Sequence, residues 1–398
     1  MGPSVAMNQL KAPDKTRPYL IGLILAGIPA LMLAGACGPR SQPVRIAVAL
    51  PLTGDLGSEG QGLRRAVELA VAEANASGRL PFRLEVAAFD DRADPAEAEN
   101  VAHLIVSDPR IAAVVGHYNS ECSVRAARIY AQAPLAMISP ASTNPELTRQ
   151  QLDPAWSASR VAFRLVPTDD IQGAFAAGFV RHRLHKKRLA VAHDGTLYGR
   201  GLAEAFTRAF KRLGGKIAAE AVVTVGARDQ RAPLLRLKAG DPDGIFFGGS
   251  YPEAGLLLKE MRRLGMRIAF CSGDGAITPN LFDVAGDSAD GAYITTAGVP
   301  VEMLPAAQPF IAAYRKRWPG RSEGMRAFDY FGYEAANIII AALASAGPDR
   351  ARLVEAVRKN RYPGILGISA FDEKGDVRNH NITMTRARSA DRSFPAVP

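Results

Sequence analysis

Two hydroxyl-bearing segments in the first half of the chain could bind an anion. One is His117-Tyr118-Asn119-Ser120, which follows a short apolar run and precedes a helical pattern. Hydroxyls and free backbone N–H groups at a helix N-terminus attract a carboxylate. The other segment runs from Ser139 to Thr148, where prolines stiffen a hydroxyl-rich loop that suits an anion or the backbone of an amino acid. The alternative for Ser120 is that it only caps the helix.

An acid and a tyrosine further along the chain could complete such a site. Asp274 stands between Gly273 and Gly275, and a carboxylate in such a loop can bind an ammonium group. Because Asp-Gly is a common turn pair, Asp274 could instead serve only as a turn residue. Tyr198 could close over a ligand or simply pack against its neighbours. These residue types together point to a small molecule that carries both charges.

The elements that must position these residues follow an α/β pattern. Val44–Leu50 (VRIAVAL) is apolar on both faces, and residues 61–76 place apolar side chains at helical spacing. The alternation of apolar runs and helical patterns starts again at Arg188, which predicts two α/β lobes with doubly wound parallel sheets. Ligands of open parallel sheets sit beyond the carboxyl ends of the strands, so the loops above should face each other across a cleft.

The sequence carries no recognisable motif for catalysis, nucleotide binding or metal binding. No G-x-G-x-x-G follows a strand, and GxxxxGK(S/T), HExxH and GxSxG do not occur. His182 and His185 lie in a basic run (RHRLHKKR) that would repel a metal ion, so we expect solvated surface there. Cys122 and Cys271 have no acid–base partner nearby in the sequence. We therefore expect a protein that is not an enzyme, with no metal and no cofactor.

Composition limits the class of protein. The chain has 398 residues, of which 47% are hydrophobic and 22% charged, and these values exclude a largely disordered protein. Its 3 cysteines exclude a disulfide-stapled scaffold, and its one long apolar run excludes a polytopic membrane protein. The net charge of +10 is scattered apart from residues 181–188. Because no reading element or stacking aromatics accompany it, we expect no nucleic-acid partner.

The N-terminal segment is typical of an exported protein. A basic stretch precedes the apolar residues 20–36, as in a secretory signal, and 17 residues are short for a membrane-spanning helix. Leu33-Ala34-Gly35-Ala36-Cys37 resembles a bacterial lipobox, with Ala34 where the strict pattern has Leu. The resemblance implies a signal peptide over residues 1–37, lipidation of Cys37 and a tether over residues 38–43. The alternatives are a soluble exported protein and an uncleaved anchor.

Longer motifs carry a family resemblance. They are PLTG (51–54), FDDRADP (89–95), VVGHYNS (114–120), ISPASTNPELT (138–148), HDGTLYGRGL (193–202), FFGGSYPEAG (246–255), VAGDSADGAY (284–293) and FDEKGDV (371–377). From Val44 onward the chain resembles the branched-chain amino acid-type, Leu/Ile/Val-binding-like solute-binding proteins of ABC transporters, in the periplasmic binding protein type 1 group. The resemblance implies a Venus-flytrap fold whose lobes, residues 44–168 plus 298–379 and 169–297 plus 380–398, are joined by a three-strand hinge.

The same resemblance implies a function and residue roles. The protein would capture an amino acid or related zwitterion in the periplasm or cell envelope and deliver it, as a monomer, to a membrane permease and its ATPase. Ser120 and Thr143, with backbone groups of Ala141 and Thr143, would hold the α-carboxylate and part of the α-ammonium. Asp274 would pair with the ammonium from the opposite lobe. The remaining candidate ligand-binding residues are Tyr198, which would stack over the ligand, Phe328, which would line the side-chain pocket, Tyr118 and Ser142.

Departures from the family pattern concern the side-chain pocket. Glu59 stands where aliphatic-binding members carry a bulky aromatic residue, and Ser250 stands where they carry a tyrosine. Glu59, with Asp55 or Glu121, could meet a polar or cationic ligand side chain, because a buried carboxylate needs a partner. The alternative is that Glu59 faces water at the cleft rim. An alternative function is a sensor of the same fold that binds an amide, urea or another small metabolite.

Overall fold

The computed structural model describes residues 42–319 and 325–398. The strands are β1 (Val44–Leu50), β2 (Leu84–Asp90), β3 (Ile111–Gly116), β4 (Ala136–Ser139), β5 (Ala162–Arg164), β6 (Arg188–His193), β7 (Lys216–Val222), β8 (Gly244–Gly248), β9 (Ala269–Ser272), β10 (Tyr293–Ala297), β11 (Arg361–Gly364), β12 (Gly367–Ala370) and β13 (Ile382–Arg386). The α-helices are α1 (Gly57–Ser77), α2 (Pro95–Ser107), α3 (Ser120–Gln132), α4 (Glu146–Arg149), α5 (Asp169–His182), α6 (Leu197–Arg212), α7 (Arg231–Ala239), α8 (Tyr251–Arg263), α9 (Asn280–Ala285), α10 (Gln308–Arg317), α11 (Asp329–Ala346) and α12 (Arg350–Lys359).

These elements form two α/β lobes. The first sheet has the order β2-β1-β3-β4-β5, and all its strands are parallel. The second has the order β13-β10-β9-β8-β6-β7 and is parallel except for the antiparallel edge strand β13. Helices α1–α4 and α10–α12 accompany the first sheet, and α5–α9 the second. The predicted fold class is confirmed, while the hinge and the lobe boundaries given above stay predictions.

Local sequence signals explain several of these elements. Most of β1 is buried, as expected for a strand covered by helices on both faces. The α2 helix begins after Asp94, whose carboxylate accepts hydrogen bonds of 2.8 Å from the backbone N–H groups of Ala96 and Glu97. The sequence predicts a helix over residues 95–107 that begins at a cap on Asp94, and both its bounds and its cap are confirmed.

The sequence patterns predict no element between Ile138 and Arg188, whereas the structure has α4, β5 and α5 there. The β5 strand is too short to show a period. The α5 helix contains Gly173, where an added Cβ would lie 2.6 Å from the backbone nitrogen of Phe206. Close packing of α5 on α6 therefore requires a residue that weakens the helical pattern of the sequence.

The predicted lipidation site, Cys37, and the apolar run before it lie outside the described residues. Among residues 42–319 and 325–398, no helix combines the length and apolarity that a bilayer crossing demands. The same residues contain no group of three or more His, Cys, Asp or Glu side chains that could hold a metal ion. Cys122 and Cys271 are free and buried.

Candidate ligand-binding site

A cavity of about 140 Å³ lies at the carboxyl ends of the two parallel sheets. An engineered cavity of about 150 Å³ holds benzene, so this space suits a molecule with only a few carbon atoms in its side chain. The wall is formed by Ala93, Pro95, Tyr118, Asn119, Ser120, Glu121, Cys122, Ala141, Thr196, Leu197, Tyr198, Ser250, Asp274, Gly275 and Phe328. Seven of the ten residues predicted for ligand binding therefore share this wall: Tyr118, Ser120, Ala141, Tyr198, Ser250, Asp274 and Phe328.

The N-terminus of α3 forms one end of the cavity. Residues 119–122 all line the wall, and the first N–H groups of a helix have no partner within the helix. Ser120 is buried, and its Oγ accepts a hydrogen bond of 3.3 Å from the backbone N–H of Asn144. The Ser120 hydroxyl therefore keeps its own proton for donation to a ligand. Together with the helix dipole, this end is suited to a carboxylate.

The backbone carbonyl of His117 ties the two hydroxyl-bearing loops together. It accepts hydrogen bonds from the hydroxyls of Ser139 at 2.7 Å and Ser123 at 3.1 Å. The His117 ring is itself buried, with Nδ1 2.7 Å from Asp91 Oδ2 and Nε2 3.0 Å from Tyr130 Oη. These contacts fix the position of α3 relative to the loop after β4, and so the geometry of the carboxylate end.

Arg164 holds the loop after β4 in place. Its side chain is fully buried, and its Nε donates a hydrogen bond of 2.6 Å to Asp376 Oδ1. One terminal nitrogen, Nη1, donates to the carbonyl oxygens of Ser142 at 3.2 Å and Asn144 at 2.6 Å. A guanidinium is suited to such a role because its donors have a fixed planar arrangement. Sequence reasoning did not find Arg164, since β5 shows no pattern of its own.

Asp274 and Tyr198 line the cavity from the second lobe. Tyr198 donates a hydrogen bond of 2.8 Å from its hydroxyl to Asp274 Oδ1. Within the described residues, Asp274 Oδ2 has no partner. Burial raises the pKa of Asp274 to about 6, although the hydrogen bond from Tyr198 lowers it. A buried carboxylate with one free oxygen is suited to an ammonium group, whose charge would offset the burial cost.

Sequence reasoning also missed Asp169 at the start of α5. This carboxyl is 1% exposed, and neither of its oxygens has a hydrogen-bond partner among residues 42–319 and 325–398. Burial raises the pKa of Asp169 well above its usual value, and the charge of Asp274 adds to the increase. Thr143 Oγ1 is likewise buried and unpartnered within the described chain. The available signal was Thr168-Asp169, a typical helix start.

The structure does not bring Ser142, Thr143 or Glu59 to the cavity wall. The Ser142 hydroxyl lies 2.6 Å from Ser123 Oγ and 3.0 Å from the carbonyl oxygen of Tyr118, so it serves the loop framework. Thr143 is buried and lies close to Asp169. The predicted ligand contacts of these residues remain predictions.

The idea that Glu59 faces water at the cleft rim is wrong. Glu59 is 3% exposed. Thr278 donates a hydrogen bond of 2.8 Å to its Oε1, and Arg326 Nε lies 3.2 Å from the same oxygen. Burial raises the pKa of Glu59 to about 7, although Arg326 and Thr278 act to lower it. This carboxylate is therefore engaged by protein groups.

Comparison with known proteins identifies the family of the chain. The sequence profile of a family described as periplasmic binding protein matches residues 43–392. The chain belongs to the periplasmic binding protein family, as the sequence motifs predicted.

Individual relatives and solved structures support the same assignment. The chain is 31% identical over 356 residues to Leu/Ile/Val-binding protein homolog 2 of Brucella abortus (strain 2308), which covers 89% of this chain and 92% of the relative. It is 30% identical to the leucine-, isoleucine-, valine-, threonine-, and alanine-binding protein of Pseudomonas aeruginosa, over 94% of this chain and 96% of the relative. The crystal structure of a leucine binding protein from Thermotoga maritima aligns with a TM-score of 0.80 at 28% identity, covering 89% and 98% of the two chains.

Proposed function

We propose that this protein is the extracytoplasmic binding component of an ABC importer, which captures a small amino acid and delivers it to a membrane permease. The observation that carries the proposal is that the N-terminus of α3, with Ser120, and the carboxylate of Asp274 lie in the wall of one small cavity. Each end suits one charge of a zwitterion. The protein binds its ligand without turnover and delivers it unchanged.

An intact zwitterion would satisfy both ends at once. The ligand carboxylate binds the Ser120 hydroxyl and the free N–H groups of α3, and the ligand ammonium binds Asp274 Oδ2. Asp169 lies near Asp274, and burial favours the neutral form of the Asp169 carboxyl, so the Asp274 carboxylate supplies the charge that pairs with the ammonium. Removing either ligand charge leaves one end desolvated and unpaired, which costs about 1–3 kcal/mol or more.

The side-chain pocket favours a small, uncharged side chain. Tyr118 and Phe328 pack edge to face with ring centroids 5.6 Å apart, and Leu197, Pro95 and Ala93 extend this apolar wall. The nearby acids are engaged by cations, since Glu121 pairs with Arg125 at 3.1 Å and Glu59 with Arg326. We therefore favour aliphatic and small hydroxyl side chains over cationic ones, in agreement with the ligands named for the Pseudomonas aeruginosa relative.

A thermal-shift screen of the twenty amino acids, amides and small carboxylates on the purified protein tests this function. A ligand that binds only the folded form raises the melting temperature by mass action. Isothermal calorimetry on the hits should then show at least tenfold weaker binding for Ser120→Ala and Asp274→Ala, with exposed Ser157→Ala and Asp287→Ala as matched controls. Unchanged affinity in both cavity variants would exclude the zwitterion site.

We further propose that the protein is held on the cell envelope through lipidated Cys37. The lipobox-like residues 33–37 support lipidation of Cys37. The attached acyl chains would hold the protein on the membrane, because they partition strongly into a bilayer. Cys37→Ser should move the protein from the membrane fraction to the soluble fraction and abolish incorporation of labelled fatty acid. Equal fatty-acid labelling of the variant and the natural chain would contradict the anchor.

A further inference from the structure

A second contact between the lobes lies beside the ligand cavity. It joins residues 55–59, at the start of α1 in the first lobe, to Tyr251, Thr278 and Asn280 of the second lobe. We call this set of residues the closure latch. None of the described residues 55–59 lines the cavity.

The polar contacts of the closure latch are short and specific. Thr278 donates a hydrogen bond of 2.8 Å to Glu59 Oε1, and Asn280 Nδ2 donates one of 2.6 Å to Ser58 Oγ. The Tyr251 hydroxyl donates to the backbone carbonyl of Asp55. Each of these three bonds joins the second lobe to the first, so all three break when the lobes separate.

An apolar contact accompanies these bonds. Leu56 belongs by sequence to the first lobe, but its side chain is 9% exposed and packs within an apolar cluster of the second lobe that includes Tyr251 and Ile277. Opening the cleft would return this side chain to water, at a cost that scales with the apolar area exposed. The closure latch therefore favours the closed state both by hydrogen bonding and by burial.

The first-lobe part of the closure latch is held rigidly. A Cβ added at Gly60 would lie 1.9 Å from the carbonyl oxygen of Pro51, so α1 starts in close contact with the loop after β1. Arg326 Nε lies 3.2 Å from Glu59 Oε1, and this ion pair orients the carboxylate. Glu59 thus presents a fixed acceptor to Thr278.

We propose that the closure latch sets the affinity of the protein for its ligands by stabilising lobe closure, without touching the ligand. This inference rests on the proposed function, in which the ligand is bound by both lobes of a closing cleft. In such a protein the apparent dissociation constant is inversely proportional to the population of the closed state. Weakening the closure latch therefore multiplies the dissociation constants of all ligands by one common factor, whereas a change in the cavity wall alters selectivity.

The test uses Thr278→Val and Asn280→Ala, with Thr207→Val on the second lobe as a matched control, since the Thr207 side chain is partly exposed on α6. Calorimetry with leucine, valine, alanine and threonine should show dissociation constants raised about five- to twentyfold, by the same factor for each bound ligand. The cause is the loss of one hydrogen bond, to the Glu59 carboxylate in Thr278→Val and to the Ser58 hydroxyl in Asn280→Ala. Melting temperatures without ligand verify that each variant folds. Unchanged constants, or factors that differ between ligands, would overturn the closure latch.

Small-angle X-ray scattering separates this inference from the proposed function. Without ligand, Thr278→Val and Leu56→Ala should have a larger radius of gyration than the natural protein and the control. A saturating ligand should bring all radii to one value. If none of the four amino acids binds the natural protein, the proposed function fails, and the scattering without ligand still decides the closure latch: equal radii in all variants would overturn it.

Discussion

The hydroxyl of Tyr198 donates to Asp274 Oδ1 at 2.8 Å and accepts a hydrogen bond of 2.9 Å from the backbone N–H of Gly275. Tyr198 therefore connects α6 to the loop after β9 and orients the carboxylate that we assign to the ligand ammonium. The free oxygen of Asp274, Oδ2, is left for the ligand.

Tyr198→Phe should weaken amino acid binding about tenfold at pH 7. A hydrogen bond to a charged group contributes about 1.5–3 kcal/mol, and about 1.4 kcal/mol corresponds to a factor of ten. Calorimetry with the best ligand of the screen measures the change, and half-buried Tyr362→Phe, on the β11–β12 hairpin, is the control. A dissociation constant within twofold of the natural protein would show that Tyr198 does not support Asp274.

Ligand affinity should fall in mildly acidic solution. Burial raises the pKa of Asp274 to about 6, so below that pH the free protein carries a neutral Asp274 that must lose its proton to bind an ammonium. The dissociation constant should rise by up to about tenfold per pH unit below 6 and stay nearly flat between pH 7 and 8. Calorimetry across pH 4.5–8 measures this profile. Asp274→Asn should bind weakly with no such slope, and an identical slope in that variant would assign the titration to another group.

Several secondary-structure elements and part of the candidate site could be predicted from local sequence signals. Val44–Leu50 is a strand with the predicted bounds, and the Asp94 cap starts α2 where its side chain indicated. The loops after the strands carried hydroxyls and an acid, and the carboxyl ends of parallel strands meet at one edge of a sheet. Ser120 and Asp274 could therefore be assigned to one cleft from the sequence.

Other features depend on partners that are remote in the sequence. The burial of Glu59 requires Thr278, which is 219 positions away, and the role of Arg164 requires Asp376, which is 212 positions away. No periodicity or spacing encodes such pairs. Asp169 was missed for a different reason, because its helix has Gly173 at a position where packing on α6 demands a glycine.

Arg164→Lys should destabilise the protein and weaken ligand binding. A lysine cannot supply the planar set of donors that joins Asp376 to the carbonyls of Ser142 and Asn144, so buried acceptors lose their partners. Urea denaturation should show a loss of roughly 2–4 kcal/mol in the free energy of unfolding. Because the loop after β4 adjoins the cavity, calorimetry should also show weaker binding.

Arg149→Lys is the matched control for this substitution, since the Arg149 side chain is 71% exposed and pairs with Glu146 on the same helix. Exposed ion pairs contribute about 0–1 kcal/mol, so little change is expected. Equal stability of the two variants would mean that Arg164 does not hold the loop.

The free energy of unfolding should also depend on the protonation of Glu334 on α11. This side chain is fully buried, and it accepts hydrogen bonds from Ser369 Oγ at 2.6 Å and from the backbone N–H of Ile365 at 3.0 Å, so it fixes the β11–β12 hairpin. Burial raises the pKa of Glu334 from 4.5 to about 7. The neutral acid is therefore favoured in the folded state, and its stabilising contribution is complete below about pH 4.5 and is lost as the pH rises to about 7.

Glu334→Gln should remove this dependence, because an amide can accept from Ile365 and donate to the Ser369 hydroxyl without ionising. Between pH 4.5 and 8, the stability of Glu334→Gln relative to the natural protein should increase by roughly 1–3 kcal/mol, since one pKa unit corresponds to about 1.4 kcal/mol. Urea denaturation at several pH values measures this difference. Glu355→Gln, whose side chain is 58% exposed, should show no comparable trend. A constant difference between Glu334→Gln and the natural protein at every pH would mean that Glu334 is ionised in the folded state throughout, and that its two donors outweigh the cost of burying the charge.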